Sequence, residues 1–186
     1  MVWEKLASKY DRLWVQKYSL EPTRQQVLER ISALGATSLV DVGCGTGQLL
    51  AELSARHPEV KLAGIDKAKE MIRKCRDKRI AAELYCHEIP SPGLPLAAFD
   101  AAVCCHSFPY YRDKHSALSQ IHGLLRSEGS AIFVQASRNS FYDRIVLWFT
   151  EKTAEKAEYL SRREFATLVE DFFTITETFT IRERWF

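Results

Sequence analysis

No run in this chain approaches the ~20 consecutive apolar residues that a membrane-spanning helix needs, so an integral membrane protein is not expected. The N-terminus, Met1-Val2-Trp3-Glu4-Lys5, lacks the apolar core of a secretory signal. Neither sign of charge is in excess. The chain has 26 Lys and Arg against 24 Asp and Glu, a net charge of +2, so neither nucleic acid nor a membrane surface is an expected partner. One basic cluster, Arg73, Lys74, Arg76, Lys78 and Arg79, reads as a solvated helix face. The five cysteines (44, 75, 86, 104 and 105) include no C-x-x-C pair. A zinc site is therefore not expected, and reduced thiols in a cytoplasmic protein are. There is no internal repeat and no low-complexity tract. What is left is an ordinary composition, 46% apolar and 27% charged over 186 residues, enough for a single domain spanning 1–186 with a full core.

Against this plain background one stretch stands out: Val40-Asp41-Val42-Gly43-Cys44-Gly45-Thr46-Gly47-Gln48. It reads as a buried strand, then a glycine turn, then a helix carrying Leu49, Leu50 and Leu53 at helical spacing. Glycines at alternate positions allow a sharp turn and leave no side chain between backbone and ligand. The helix start adds free N–H groups and a positive dipole end. A nucleotide-like ligand suits such a place. A dinucleotide fingerprint, G-x-G-x-x-G, would require glycine where Gln48 stands, which discourages a nicotinamide cofactor. The pattern is D-x-G-x-G-x-G instead.

Two further segments fall in step with it. Lys61-Leu62-Ala63-Gly64-Ile65-Asp66 is a second strand ending in an acid, about 20 residues on, where a carboxylate can accept hydrogen bonds from ribose hydroxyls. Asp66 is equally placed to cap a helix beginning near Ala68. Ala98-Phe99-Asp100-Ala101-Ala102-Val103-Cys104-Cys105 is another buried strand, followed by His106-Ser107-Phe108. Together these motifs resemble the class I S-adenosylmethionine-dependent methyltransferases, of the small-molecule, ubiquinone/menaquinone-biosynthesis-like type, over about residues 10–180.

The periodicities predict helices over 3–18, 23–34, 47–57, 68–78, 113–126, 140–150 and 161–171. They predict strands over 38–43, 61–66, 82–87, 99–105, 131–136 and 172–182. Gly35 is the expected stop of the second helix, and Ser161-Arg162-Arg163-Glu164 matches a capping box. Ser127-Glu128-Gly129 reads as a turn. Strands alternating with helices imply an α/β, Rossmann-like, doubly wound and mostly parallel sheet with helices on both faces, and ligands at the C-terminal strand ends. The family's seventh strand is expected to be missing, or the chain to be cut short, because little sequence follows the sixth. Strand 172–182, with Phe179, Ile181, Trp185 and Phe186 nearby, would then be an exposed edge open to a homodimer.

The resemblance implies S-adenosylmethionine as cofactor and S-adenosylhomocysteine as product. It implies a cofactor-binding set of Tyr10, Asp41, Gly43, Cys44, Gly45, Gly47, Asp66, Lys67, Met71, His87, Glu88 and Cys105. Residues 1–35 supply N-terminal helices, in which Tyr10-Asp11 is similar to the "YD" segment that covers the cofactor. Residues 137–160, with Tyr142, Ile145, Val146, Trp148 and Phe149, form an insert expected to cover the active site. His106 is the candidate catalytic base, since an imidazole titrates near neutrality; a structural histidine beside the cofactor is the alternative. Phe108-Pro109-Tyr110 is similar to the [ND]-P-P-[YFW] motif of amino-methyltransferases, but Ser107 and Phe108 stand in place of its first two residues, so that substrate class is rejected. Cys104 and Cys105 follow Val103, not the proline that precedes a catalytic cysteine in cytosine methylation. A small-molecule acceptor is therefore expected. The rival from another class is a methyltransferase-like binding or regulatory domain that transfers no methyl group.

Overall fold

The alternation of buried apolar strands with amphipathic helices builds a parallel sheet. In the computed structural model, which describes residues 2–13, 16, 20–137 and 157–181, the strands are β1 (Ser38–Val42), β2 (Lys61–Ile65), β3 (Ala82–Tyr85), β4 (Phe99–Cys105) and β5 (Leu125–Val134). Their order is β3-β2-β1-β4-β5, and each neighbouring pair is parallel. The helices are α1 (Val2–Leu6), α2 (Glu21–Leu34), α3 (Gln48–Arg56), α4 (Lys69–Asp77), α5 (Lys114–Leu124) and α6 (Arg162–Glu170). From β1 the chain winds outward through β2 to β3, then returns across β1 to lay down β4 and β5. The reversal opens a crevice between β1 and β4 at their C-terminal ends, where ligands of such sheets bind.

The two faces of β1 seed two cores. Val40 and Val42 pack with Phe108, Ala117, Leu118, Ile121 and Leu124 under α5 and α6. Leu39 packs with Val27, Leu28, Leu50, Leu53 and Ile72 under α2, α3 and α4. Local signals set the helix ends. Gly35 closes α2 in the left-handed conformation at φ 62°. Asp113 accepts from Ser116 N at 2.9 Å to start α5. Ser161 and Glu164 complete the expected capping box of α6. At the far end of the sheet Asp100 ties β1 to β4, accepting from Thr37 Oγ1 at 2.6 Å and from Ser38 N at 3.0 Å. The Thr37 hydroxyl, then Arg126, hold its carboxyl below the usual carboxylate range.

Three expectations fail on tertiary grounds. Over the described residues 3–13, the helix predicted over 3–18 is α1 followed by turns and a 3-10 turn at Tyr10–Arg12. Glu4 and Asp11 are drawn to partners on other elements, and those bonds override the local period. The turn expected at 127–129 lies inside β5, which begins directly after α5 and has an irregular register between Phe99↔Leu125 and Ala101↔Ser130. Glu128 takes φ 63° there, which is how the strand absorbs the extra residues. The sixth strand does not form over 173–181: that segment makes no ladder with the sheet. Side chains hold it instead. Glu177 pairs with Arg30 at 3.0 Å, the Arg30 guanidinium lies 3.6 Å from the centroid of the Phe179 ring, and Phe179 and Ile181 pack on the core under α2. The edge expected to pair with a second copy is therefore absent over these residues, and β5 is the outer strand of the described sheet. Trp14, Trp185, Phe186 and the helix predicted over 140–150 lie outside the described residues. No helix among the described residues is long and apolar enough to cross a membrane.

Candidate active site

The glycine turn bridges β1 and α3 and is held by the backbone of β2. Gly43 N and Cys44 N both donate to Ile65 O, at 2.7 and 3.0 Å, and Gly47 N donates to Cys44 O at 2.9 Å. The three glycines have φ of 81°, 54° and 76°, which excludes most other residues. They do not share one purpose, as the expectation of a side-chain-free ligand surface had it. A Cβ on Gly43 would sit 2.2 Å from Ser107 Cβ, and one on Gly47 would sit 2.3 Å from Cys75 Sγ. Those two positions allow close packing within the protein. At Gly45 the nearest atom to a Cβ is Tyr10 Cε1, 4.0 Å away. Gly45 alone thus faces open space, under the Tyr10 ring.

Asp66 follows β2 directly and ties the site together. One carboxylate oxygen accepts from Gly45 N at 2.9 Å and the other from Ala68 N at 2.8 Å. The capping role and the ligand role are therefore compatible. Two bonds leave further lone pairs, since an ionised carboxylate offers about four acceptor positions. Burial raises the Asp66 carboxyl, and the bonds from Ala68 and Gly45 oppose that rise. Asp41, mid-way along β1, is 3% exposed. Burial, then the neighbouring Cys75 and Asp66, push it up to about 8. Burial thus favours the neutral form of Asp41, and Asp66 is the one of the two that faces the cavity.

On the other wall β4 ends at Cys105 and His106 follows. His106 takes φ 61°, a strained conformation for a non-glycine residue, and its N–H donates to Val134 O at 2.7 Å. Ser107 turns back beneath Gly43, donating from Oγ to Val42 O at 2.6 Å and accepting from the Tyr111 hydroxyl at 3.1 Å. Burial raises the Cys105 thiol and keeps it neutral. Above lies a run of rings. The Trp3 centroid is 6.2 Å from Tyr10 and 5.1 Å from Tyr110, both edge-on. Burial, and then the neighbouring Tyr159, raise the Tyr110 phenol. Burial likewise pushes the Tyr10 phenol up to about 12, so it stays protonated.

Of the residues expected from sequence, Tyr10, Gly43, Gly45, Asp66, Lys67, Met71, His87, Glu88, Cys105 and His106 line one continuous cavity. Lys67 reaches Glu88 at 3.7 Å, and His87 Nδ1 is 3.2 Å from Ser91 Oγ. Asp41, Cys44 and Gly47 are not in that lining. Asp41 sits behind the turn, Cys44 is buried in the same core cluster as Cys75 with its thiol donating to Gly45 O at 3.8 Å, and Gly47 backs onto α4. Sequence reasoning passed over Ser107 as a support for Gly43. It also passed over Trp3 and Tyr159 as walls, because nothing local marks an aromatic as facing a cavity. Among the described residues no His, Cys, Asp and Glu cluster is disposed to hold a metal ion.

Comparison with known proteins agrees with this geometry. Residues 39–129 match the family model of a methyltransferase domain. A 110-residue stretch is 33% identical to an uncharacterized methyltransferase of Mycobacterium bovis, covering 58% of this chain and 55% of that protein. A 121-residue stretch is 26% identical to the ubiquinone/menaquinone biosynthesis C-methyltransferase UbiE of Citrifermentans bemidjiense, covering 61% and 52%. The chain thus spans about half the length of the curated relatives it matches. Among solved structures, a complex of the Haloferax volcanii Trm112 methyltransferase activator with a methyltransferase includes a similar chain. The TM-score is 0.79 at 17% identity, covering 91% of this chain and 74% of that one. The plantazolicin methyltransferase BpumL, solved with a monoazolic desmethylPZN analogue and S-adenosylhomocysteine, gives 0.67 at 21% identity, covering 88% and 66%. At these identities the structural likeness speaks for the fold alone.

Proposed function

We propose that this chain is a class I S-adenosylmethionine-dependent methyltransferase that transfers a methyl group from S-adenosylmethionine to a small-molecule acceptor. The observation that carries the reading is the bond from Gly45 N to Asp66. That bond joins the one glycine of the turn that faces open space to the strand-end carboxylate beside it. S-adenosylmethionine brings a methyl group already on a good leaving group, so the protein's share is position and the protonation state of the acceptor. Asp66 would take the ribose hydroxyls on its remaining lone pairs. Gly45 admits the ligand to the backbone, and Tyr10 and Met71 close over it. Asp66, the strand-end carboxylate that lines the cavity, would be the acidic group that favours a cationic ligand. Lys67, His87 and Glu88 border the cavity beyond β3, and Cys105 lines it beneath. His106, which lines the cavity, would take a proton from an acceptor hydroxyl or amine. Residues 1–186 act as one methyltransferase domain on this reading, with 1–35 on the cofactor side and 137–160 over the acceptor, in the cytoplasm. Support for the cofactor comes from BpumL, solved with S-adenosylhomocysteine. Support for a small acceptor comes from that protein and UbiE.

The test has two parts. Calorimetry with S-adenosylhomocysteine and with NAD should show binding of the first alone; tight NAD binding with none for the adenosyl ligand ends the reading. Incubation with S-adenosylmethionine and a panel of phenols, amines and carboxylic acids should then release S-adenosylhomocysteine. His106→Gln should lower that release and leave the affinity for S-adenosylhomocysteine unchanged.

A further inference from the structure

Three bonds meet at one point behind the glycine turn. Thr46, buried within the turn, donates from Oγ1 to one oxygen of Asp11. Its carbonyl accepts from Lys78 Nζ at 2.7 Å. Lys78 pairs with the other Asp11 oxygen at 2.8 Å. The ring closes over three separate stretches: the N-terminal segment 2–13, the β1–α3 turn and the residue that ends α4. The Thr46–Gly47 peptide is held at both of its polar groups, its carbonyl by Lys78 and its N–H by Cys44 O. Asp11 is the direct neighbour of Tyr10, whose ring stands over Gly45. The N-terminal segment is fastened again at Glu4, which accepts from Lys69 N and Glu70 N, both at 2.9 Å. It serves as the cap that α4 does not supply from its own start. None of Asp11, Thr46 and Lys78 lines the cavity.

We infer that Asp11 and Lys78 are positioning residues for the cofactor: by gripping Thr46 they keep the glycine turn in shape and lay Tyr10 across Gly45, so that an adenosyl ligand beneath Tyr10 leaves only when the grip opens. This rests on the methyl-transfer reading of the same site. The side chains of Lys78 and Asp11 are 28% and 39% exposed, so salt weakens the grip and ligand release quickens with ionic strength.

S-adenosylhomocysteine is the probe, with calorimetry for affinity and stopped-flow for release. Lys78→Met should weaken binding roughly tenfold, chiefly through faster release, the scale of one partly screened charge-assisted bond. Lys78→Arg, which keeps a donor and a charge, should restore most of the loss. Asp11→Asn should act alike, and the double variant should be no worse than the weaker single one, since both act through one fastening. In the ligand-free protein, trypsin should cut after Lys5, Lys9 or Arg12 faster in Lys78→Met, while the thermal midpoint moves little. A folded Lys78→Met that releases the probe at the wild-type rate overturns the inference, as does failure of arginine to rescue. Should Lys78→Met not fold, the release rate of Asp11→Asn decides in the same way. Wild-type protein that takes up no S-adenosylhomocysteine overturns the methyltransferase reading and this inference with it. Wild-type binding that the variants leave untouched overturns this inference alone.

Discussion

The turn after β1 and the loop after β4 stand at the same end of the sheet and are held by opposite means. The first is held chiefly through its own main chain: Gly43, Cys44 and Gly47 donate to backbone carbonyls of the turn and of β2, Gly45 donates to the Asp66 carboxylate, and Asp11 and Lys78 brace Thr46 from behind. The second is held by side chains. Phe108 is 1% exposed, with the rings of Tyr111, Phe133 and Phe165 edge-on at 5.9, 5.9 and 5.2 Å. Lys114 fastens the following stretch through Glu158 at 2.7 Å, and Glu158 N donates to Pro109 O at 2.8 Å. A main-chain cradle suits a ligand of constant shape, because its geometry does not change when side chains do. A wall of side chains can be refitted to a different acceptor without disturbing the cradle.

If that contrast is right, the heaviest damage comes from a side chain on the backbone cradle. Gly45→Val places a branched residue at φ 54° in the space beneath Tyr10. We expect loss of S-adenosylhomocysteine binding by more than about 100-fold at a stability cost of about 1–2 kcal/mol. Gly43→Ala should reverse the balance, losing about 2–4 kcal/mol in denaturant unfolding because its Cβ would overlap Ser107. Calorimetry beside urea titration separates the two, and a Gly45→Val protein with normal affinity would place the ligand elsewhere.

Asp66→Ala comes next. It removes the acceptor for both Gly45 N and Ala68 N together with the proposed ribose bonds, and should weaken the same probe by about 2–4 kcal/mol. A folded variant with unchanged affinity would leave Asp66 as a helix cap only.

Asp41 tests the electrostatics behind the cradle. Its folded-state carboxyl is raised to about 8, above the ordinary value of about 4 in an unfolded chain. Between those two values the folded state binds the extra proton. Its contribution to stability is therefore complete in acid and is lost as pH rises through about 8. Asp41→Asn should abolish that slope and be the more stable protein at pH 9, by on the order of 1–3 kcal/mol. Thermal unfolding from pH 5 to 9 checks this, and parallel slopes for the two proteins would show that Asp41 does not titrate in that range.

The smallest effect belongs to the side-chain wall. Tyr110→Phe removes the buried hydroxyl beside Tyr159 but keeps the ring against Trp3. It should cost about 0.5–1 kcal/mol of stability and leave S-adenosylhomocysteine affinity unchanged. A large loss of cofactor affinity would break the division between the two walls.

What could be read beforehand depended on how local the cause was. β4 begins and ends where its apolar run does, Gly35 stops α2, and the Ser161–Glu164 box starts α6, because each is set by neighbours a few residues away. The stretch 172–182 carries a strand-like pattern, yet over 173–181 it stands off the sheet, since its side chains find Arg30 and the core under α2. The period of 3–18 was misleading for the same reason: an amphipathic pattern says that a segment has a face to bury, and Glu4 and Asp11 found theirs on other elements.

By itself the sequence determined the alternation of strands and helices and a glycine turn followed by an acid at the next strand end. These follow from periodicity and from the steric freedom of glycine, which act within a few residues. Only the tertiary structure decided that Gly45 faces the ligand while Gly43 and Gly47 face Ser107 and Cys75. It alone set Asp41 behind the turn and Asp66 against it, and laid Tyr10 over the site by way of Asp11 and Lys78. Those outcomes depend on which distant side chains arrive at each point, and that is settled by packing across the sheet, on which the local pattern is silent.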